Sequence, residues 1–266
     1  MIFQKFSARS ARAVVASALG AALLSACLSN TSSPPTSATS GPAAPAPHAS
    51  AAAPATSQHF SACRQFFAAG EPPVIAPQPK LRDLCFDAFA ILHNGNTRTP
   101  LFVAQRLNKT LVADADEKRT NKFYADARLP RAERAELNDY KRSGYSRGHM
   151  APAADMPTAQ AMAQSFSLAN MVPQSIKQNS GPWAHIEKDT RRYASRAKGD
   201  VFIITGPVYE PQPATVGGNQ VAVPTYLYKL VYDAETNRAW AHWQANRDDE
   251  RISQPLHSQT NWPVAN

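Results

Sequence analysis

Residue types suited to phosphodiester chemistry are concentrated between residues 146 and 191. The tetrapeptide Ser146-Arg147-Gly148-His149 comes first, and Asn170, Asn179, Glu187 and Arg191 follow it. A histidine can act as a general base, an asparagine oxygen can bind a hard metal ion, and guanidinium groups match the geometry of phosphate. A carboxylate can orient water. Together these groups favour metal-assisted hydrolysis of a phosphodiester.

Each of these residues has a physical role and an ordinary alternative. An imidazole that titrates near pH 6.5 is neutral at physiological pH, so His149 as base predicts a rate that rises with a slope near one below about pH 6.5. Magnesium keeps several waters, so one amide oxygen from Asn179 is a plausible share of its coordination. Alternatively, His149 is a structural histidine, Asn179 caps a helix, and Glu187 and Arg191 form a surface i,i+4 pair.

One helix is expected to carry the later part of this cluster. Pro182 near the first helical position and Gly199 beyond the last turn predict its ends. At 100° per residue, one inward stripe is formed by Trp183, Ile186, Thr190, Ala194 and Ala197. Trp183 is read as core packing. Glu187 and Arg191 lie at the edge of the stripe and are expected to face a cleft.

Strands are expected on both sides of the cluster. Phe86 to Leu92 and Pro100 to Leu107 are read as strands around the turn Asn94-Gly95-Asn96. Between Ala113 and Tyr140 the chain is charged and interrupted by Pro130, which predicts loop and short helix. Further strands are predicted for two segments, namely Val201 to Thr205, ended by Gly206-Pro207, and Val221 to Tyr232.

The N-terminus reads as a bacterial lipoprotein signal over residues 1–26. Lys5, Arg9 and Arg12 precede an apolar stretch, Val14 to Leu24, that is too short to span a bilayer. Leu24-Ser25-Ala26-Cys27 resembles a lipobox, so Cys27 is expected to carry the lipid. An ordinary secretory signal is the alternative. Several acyl chains would anchor the protein almost irreversibly.

A tether is expected over residues 27–58, followed by one folded domain over residues 59–266. From Leu28 to about Ser57 the chain is mostly Ser, Thr, Pro, Ala and Gly and has no Lys, Arg, Asp or Glu, so it cannot bury enough surface to fold. The formal net charge is +8, of which +5 remains beyond the signal. This modest surplus is compatible with a polyanionic partner and does not require one.

Two cysteines remain once Cys27 is assigned to lipid. Cys63 and Cys85 are expected to form an intramolecular disulfide in an oxidising compartment, which would stabilise the fold by about 3 kcal/mol. The alternative is two free buried thiols. No CxxC motif accompanies them, which disfavours a metal site.

Three motifs in order resemble the DNA/RNA non-specific endonuclease family, to which endonuclease G is related. They are Ser146-Arg147-Gly148-His149-Met150-Ala151-Pro152-Ala153-Ala154-Asp155, then Asn170-Met171-Val172-Pro173-Gln174, then Asn179-Ser180-Gly181-Pro182-Trp183 with Glu187. Arg119, four residues before Phe123, and Gly206-Pro207-Val208-Tyr209 extend the resemblance over most of residues 60 to 266. The family usually has Asp at the position of Ser146, with Ser also seen.

The resemblance implies an α+β fold of the ββα-metal type, with a central antiparallel sheet flanked by helices. It implies that His149 is the general base, that Asn179 is the direct ligand of Mg²⁺, with Mn²⁺ able to substitute, and that Glu187 holds metal-bound waters. It also implies supporting roles for the remaining site residues: phosphate contacts for Arg119, Arg147 and Arg191, and support of the site by Asn170.

The resulting hypothesis is a surface-tethered magnesium-dependent endonuclease that acts on DNA and RNA and leaves 5′-phosphate ends. A catalytically silent nucleic-acid-binding lipoprotein is the main alternative, and a phosphatase or phosphodiesterase for small substrates is a third. Leu28 is not the Asp that retains lipoproteins in the inner membrane, so an outer-membrane location in the cell envelope is expected. The oligomeric state stays open.

Overall fold

A seven-stranded antiparallel sheet forms the centre of the computed structural model, which describes residues 59–257. Its strand order is β1-β2-β3-β6-β9-β10-β11. The ranges are β1 (Leu81–Cys85), β2 (Phe89–Asn94), β3 (Thr99–Leu107), β6 (Val201–Val208), β9 (Tyr226–Asp233), β10 (Arg238–Ala245) and β11 (Leu256–His257). The expected α+β class with a central antiparallel sheet is confirmed.

Two short ribbons accompany the sheet. One pairs β4 (Tyr145–His149) with β5 (Met171–Ser175), and the other pairs β7 (Thr215–Val216) with β8 (Val221–Ala222). The helices are α1 (Lys109–Ala113), α2 (Ala159–Ser165), α3 (Ile176–Gln178) and α4 (Ala184–Ala194), with a π-helical turn, Asn179–Trp183, between α3 and α4. No helix among residues 59–257 is long and apolar enough to cross a membrane.

The core lies between the sheet and the elements that carry the candidate chemistry. Trp183 and Ile186 pack with Ile91 and Val103 of the sheet and with Leu227 of β9. These side chains are fully buried, which is the main favourable term in folding. Val172 of the β4–β5 ribbon belongs to the same cluster, so both the ribbon and α4 pack against the sheet.

A second cluster covers β2 and β3 with the residues that precede β1. Phe60, Phe66 and Phe67 pack with Leu92 and Phe102 in this cluster. Within it, Cys63 and Cys85 form a disulfide, as the cysteine count predicted.

Several predicted strand limits need correction. The segment Phe86 to Leu92 is not one strand, because Phe86 lies in the turn after β1, where its N–H donates to the Phe89 carbonyl at 2.9 Å. β1 was not predicted. The predicted strand at Pro100 to Leu107 is confirmed as β3.

The later strands also differ from their predicted limits. β6 continues through Gly206-Pro207 to Val208, because β3 pairs only with Val201–Thr205 and the proline lies where β6 is paired on one side. Val221 to Tyr232 is divided by Pro224 into β8 and β9, since proline lacks a donor for the ladder. Loop and short helix between Ala113 and Tyr140 are confirmed.

The helix prediction was wrong at both ends. Helical structure begins at Ile176, where the Ser175 hydroxyl accepts a hydrogen bond from the Gln178 N–H at 3.3 Å, and Pro182 lies inside the π turn instead of at a helix start. Proline has no N–H to donate to the preceding turn, which widens the helix there. α4 ends at Ala194, well before Gly199.

Some predictions concern residues outside the described range of 59–257. The signal segment, the lipobox cysteine Cys27 and the tether at residues 27–58 all precede residue 59, and residues 258–266 follow the last described position.

Candidate active site

The β4–β5 ribbon and the helix after it form a β-β-α unit that carries most of the predicted site residues. Arg147 pairs with Pro173 and His149 pairs with Met171 across the ribbon. Gly148 is required in this arrangement, because a Cβ atom there would lie 1.8 Å from Oε1 of Gln174. The ribbon therefore fixes the backbone on both sides of Gly148, including that of His149.

His149 ends β4 in a largely buried aromatic environment. Its ring centroid lies 5.1 Å from that of Phe166 and 5.9 Å from that of Phe123. Burial, assisted by the positive charge of Arg119, lowers the pKa of His149 to about 3. Charging this imidazole would require desolvating a cation, which shifts its titration below the value near pH 6.5 expected for an exposed ring.

Arg119 and Arg147 converge on the same aromatic rings. The guanidinium carbon of Arg119 lies 5.0 Å from the Phe166 ring centroid, and that of Arg147 lies 4.8 Å from the Phe123 centroid. Phe123 and Phe166 are themselves in edge contact at 4.9 Å. Cation–π contacts of this kind orient a guanidinium. The aromatic pair thus brings two of the predicted arginines together with His149.

Asn170 supports the chain just after His149. Its Oδ1 accepts from the Ala151 N–H at 2.9 Å, and its Nδ2 donates to the carbonyls of Ala151 and Ser165 at 2.9 and 3.0 Å. The backbone carbonyl of Asn170 also accepts from the Met150 N–H. Because the side chain is fully buried and bonded at both ends, Asn170 fits the predicted supporting role.

Asn179 opens the π turn with its side chain partly exposed. No side-chain hydrogen bond of Asn179 occurs among residues 59–257: its backbone N–H donates to the Ile176 carbonyl at the end of α3, but its side chain does not cap a helix N-terminus. In an uninterrupted α-helix, eight residues would leave Asn179 about 80° away from Glu187 around the axis. The π turn rotates less per residue, which moves the two side chains toward the same side.

Glu187 lies in a group of buried charges. Burial raises the pKa of Glu187 to about 7, while Lys229 acts to lower it, Asp155 raises it further, and Arg191 and Arg119 lower it. Arg119 therefore acts electrostatically on both Glu187 and His149.

Arg191 forms an ion pair with Asp155, a carboxylate that has no predicted role in the sequence analysis. Its Nη1 donates to Oδ1 of Asp155 at 2.8 Å, and Asp155 Oδ2 accepts from Gln105 at 3.4 Å. Burial raises the pKa of Asp155, whereas Arg191 lowers it. The i,i+4 pairing of Glu187 with Arg191 is not formed as a salt bridge among the described residues.

Sequence reasoning missed two charged residues of the site. Asp155, at the end of the first motif, and Lys229, in a predicted strand, have no predicted role in the sequence analysis. The alternation of β9 carried a usable signal, because Lys229 falls between the apolar residues Leu227 and Val231 on one face.

The donor set fits a divalent ion that keeps most of its waters. No group of three or more His, Cys, Asp or Glu residues suited to a metal occurs within the described part of the chain. Among residues 59–257, the Asn179 amide has no competing partner and Glu187 receives no hydrogen bond. One amide oxygen and a nearby carboxylate are sufficient for Mg²⁺, which gives up its water reluctantly.

The chemistry does not lie in the cavity of about 370 Å³ between α4 and β10, which is lined by Tyr193, Arg196 and Trp240 among others and by none of the predicted site residues. The candidate site lies on the side of α4 that faces Asp155. Of its predicted members, the structure brings together His149, Arg119, Arg147, Glu187 and Arg191. Asn170 lies behind His149.

Comparison with known proteins shows similarity to a family of nucleases. Residues 74–263 match the family described as DNA/RNA non-specific endonuclease. The mitochondrial nuclease EXOG of Danio rerio is 38% identical over 145 residues, which cover 50% of this chain and 42% of that protein. Nuclease C1 of Cunninghamella echinulata var. echinulata is 33% identical over 170 residues, covering 59% and 67%.

A solved structure agrees with the fold. The crystal structure of the EndoG/EndoGI complex matches with a TM-score of 0.57 and 25% identity, over 64% of this chain and 77% of that one. The chain spans less than half the length of the EXOG relatives that it matches. With the family match over most of its length and the β-β-α unit in place, the chain belongs to the DNA/RNA non-specific endonuclease family.

Proposed function

We propose that the protein is a magnesium-dependent endonuclease that hydrolyses phosphodiester bonds of DNA and RNA without sequence preference. The observation that carries the proposal is the convergence of Arg119, Arg147 and His149 on the Phe123–Phe166 pair. A neutral histidine beside two oriented guanidiniums supplies a proton acceptor next to a phosphate-binding surface.

In this proposal, His149 takes the proton of the attacking water. Its Nε2 is buried without a hydrogen-bond partner among the described residues, so we assign proton acceptance to Nδ1, the other ring nitrogen. The lowered pKa keeps the imidazole neutral throughout the physiological range, and a base must be neutral to accept a proton. The ring is held by Phe166 and Phe123.

The arginines bind the phosphate in the same proposal. Arg191 is positioned by Asp155, whereas Arg119 and Arg147 are positioned by the aromatic pair. Contacts to phosphate oxygens carry no sequence information, which accounts for the absence of sequence preference. RNA and DNA share this backbone chemistry, so both are substrates, and the products carry 5′-phosphate ends.

In this proposal, Asn179 would be the direct ligand of the metal ion, and Glu187 would hold its waters. When bound, Mg²⁺, or Mn²⁺ in its place, neutralises charge on the phosphate and on the departing oxygen. The role of the π turn is to place both side chains on one side of the helix.

The metal assignment is tested by titrating Mg²⁺ against Asn179→Ala. We expect the half-saturating Mg²⁺ concentration to rise at least about tenfold, the loss that one ligand interaction of about 1.4 kcal/mol would cause. Ser180→Ala is the matched control, since Ser180 is the exposed neighbour whose hydroxyl bonds the Ile176 carbonyl. Equal metal dependence in both variants would contradict the assignment.

The nature of the substrate is tested by comparing polymers with a small phosphodiester. We expect plasmid DNA and RNA to be cut internally and bis(p-nitrophenyl) phosphate to be cleaved far more slowly. Nicked plasmid should be resealed by a DNA ligase, which requires 5′-phosphate ends. Binding without cleavage would favour the silent nucleic-acid-binding protein, and preferential cleavage of the small ester would favour a phosphodiesterase for small substrates.

We further propose that Cys27 anchors the protein in the bacterial cell envelope, at the outer membrane. The support is the lipobox-like Leu24-Ser25-Ala26-Cys27 and the uncharged segment after it. Radiolabelled palmitate should be incorporated into the full chain during expression in bacteria, and Cys27→Ser should abolish the label. Labelling that persists in this variant would refute the anchor.

A further inference from the structure

Phe166 is the ring on which the proposed base and one proposed phosphate ligand both rest. It follows α2, and its fully buried ring is in edge contact with the rings of His149 and Phe123, at 5.1 and 4.9 Å between centroids. The guanidinium carbon of Arg119 lies 5.0 Å from the same centroid. A shift of this one ring would therefore change the surroundings of two proposed site residues at once.

The backbone on both sides of Ser167 is joined to Tyr124. The Tyr124 N–H donates to the Phe166 carbonyl at 3.2 Å, and the Tyr124 carbonyl accepts from the Leu168 N–H at 2.8 Å. These two bonds form an isolated parallel bridge between Tyr124 and Ser167. Because Phe123 precedes Tyr124, the same bridge sets the separation between the two aromatic rings.

The Asp126 carboxylate adds a side-chain bond to this connection. Its Oδ2 accepts from the Ser167 hydroxyl at 3.0 Å, and both side chains are buried. The Ser167 hydroxyl oxygen in turn accepts from the Ala169 N–H at 3.2 Å, which fixes the turn that follows. A hydrogen bond to an ionised acceptor is stronger than one between neutral groups, so a carboxylate is well suited to hold this turn.

Arg128 connects Asp126 to the central sheet. Its Nε donates to Oδ1 of Asp126 at 2.9 Å and its Nη2 donates to Oδ2 at 2.7 Å, so the pair is bidentate. The remaining nitrogen, Nη1, donates to the Cys85 carbonyl at the end of β1, at 2.9 Å. A bidentate pair restricts the orientation of both groups. A continuous series of contacts therefore runs from the sheet through Arg128 and Asp126 to the turn at Ser167.

We propose that Asp126 is a positioning residue of the active site, which holds the Phe166 ring against His149. It acts through the hydroxyl of Ser167, so loss of the carboxylate would release the turn and let the ring move away from the imidazole. The inference rests on the proposed function for its catalytic meaning. Its geometric part can be measured without nucleic acid or metal.

The geometric part is tested by NMR of the His149 ring in chelator, with its resonances identified by their absence in His149→Ala. Asp126→Asn leaves one acceptor oxygen to serve both Arg128 and Ser167, so the turn should loosen. Since an aromatic ring shifts the resonances of protons near it, this variant should displace the His149 ring resonances. Ser167→Ala, which keeps the pair of Asp126 with Arg128, should displace them in the same direction.

Asp233→Asn is the matched control for the NMR comparison. Asp233 is a buried carboxylate of β9 that accepts a hydrogen bond from the Tyr193 hydroxyl at 2.5 Å, away from Phe166. It should leave the His149 resonances unchanged. Unchanged resonances in folded Asp126→Asn, or an equal displacement in the control, would overturn the proposal. If Asp126→Asn does not fold, Ser167→Ala decides by the same criterion, and failure of both to fold would show a merely structural role.

The catalytic meaning is tested by a double-mutant cycle of kcat at saturating Mg²⁺ and plasmid. Asp126→Asn alone should lower kcat about tenfold, because a small displacement of a reacting group costs rate steeply. In the Phe166→Leu background the same substitution should lower kcat by less than about threefold, since the ring through which Asp126 acts is already absent. Equal losses in both backgrounds would overturn positioning through Phe166. A wild-type chain without nuclease activity would instead refute the proposed function and leave the NMR comparison interpretable.

Discussion

Asn170 gives the sharpest prediction, because the structure accounts for every polar atom of its side chain. Asn170→Ala removes three buried hydrogen bonds, two to Ala151 and one to Ser165. At about 1–1.5 kcal/mol for each neutral bond, the loss is about 3–4.5 kcal/mol of unfolding free energy. For a domain of this size, that corresponds to a decrease in Tm of about 10 °C.

The same substitution should reduce activity through His149. Ala151 lies two residues after His149, so releasing it allows the end of β4 to move, and a displacement of about 1 Å can lower a rate about 100-fold. We therefore expect kcat to fall about 100-fold at 25 °C. The half-saturating Mg²⁺ concentration should stay within about threefold, because no polar atom of Asn170 is left to meet a metal.

Thermal unfolding monitored by circular dichroism and a Mg²⁺ titration of plasmid cleavage measure both effects. Asn170→Asp is the informative companion, since it keeps the acceptor for the Ala151 N–H and loses both donors. A variant with wild-type Tm, or one whose metal requirement rises tenfold at unchanged stability, would refute the supporting role.

Three further predictions follow from other contacts. Arg119→Ala should raise the pKa of His149, because the positive charge that opposes imidazolium is lost; NMR titration of the His149 ring measures this, and an unchanged pKa would show that burial acts alone. The Cys63–Cys85 disulfide closes a loop in the unfolded chain between cysteines 22 residues apart, so its reduction should lower the free energy of unfolding by about 3 kcal/mol while kcat at 25 °C is retained. Denaturation with and without reductant tests this, and equal midpoints would contradict it. Despite burial, the Arg128 hydrogen bonds hold the pKa of Asp126 below its usual value. The stability that the ionised carboxylate contributes to the folded protein is therefore complete above about pH 4, and it is lost as the pH falls through the pKa of Asp126 in the folded state. In Asp126→Asn, the urea midpoint should therefore decrease less between pH 5 and pH 2 than it does in the wild type, and an equal decrease would count against this prediction.

Local sequence patterns predicted four of the seven strands of the sheet, at β2, β3, β6 and β9, and missed β1, β10 and β11. The strand at β3 and the inward positions of Trp183 and Ile186 follow from hydrophobic periodicity, which packing in the structure preserves. Pro182 misled the helix prediction, because proline at a first helical position and proline inside a π turn have the same local sequence signature. Only the contacts of the folded chain distinguish them.

The electrostatics of the site could not be predicted from the motif alone. The pKa of His149 depends on burial against Phe166, far away in sequence, and on Arg119, whose position is set by a ring contact. Likewise, the influence of Lys229 on Glu187 requires β9 to lie beneath α4. Such effects arise from tertiary proximity, which residue spacing along the chain does not encode.

The most direct test of the nuclease assignment is a cleavage assay with supercoiled plasmid and RNA, in Mg²⁺ and in chelator. The wild-type chain, His149→Ala and His185→Ala are compared, since His185 is an exposed histidine of α4 and serves as the matched control. The proposal predicts Mg²⁺-dependent nicking and degradation by the wild type and by His185→Ala, and none by folded His149→Ala. Intact nucleic acid with the wild type, or equal cleavage by both variants, would contradict it.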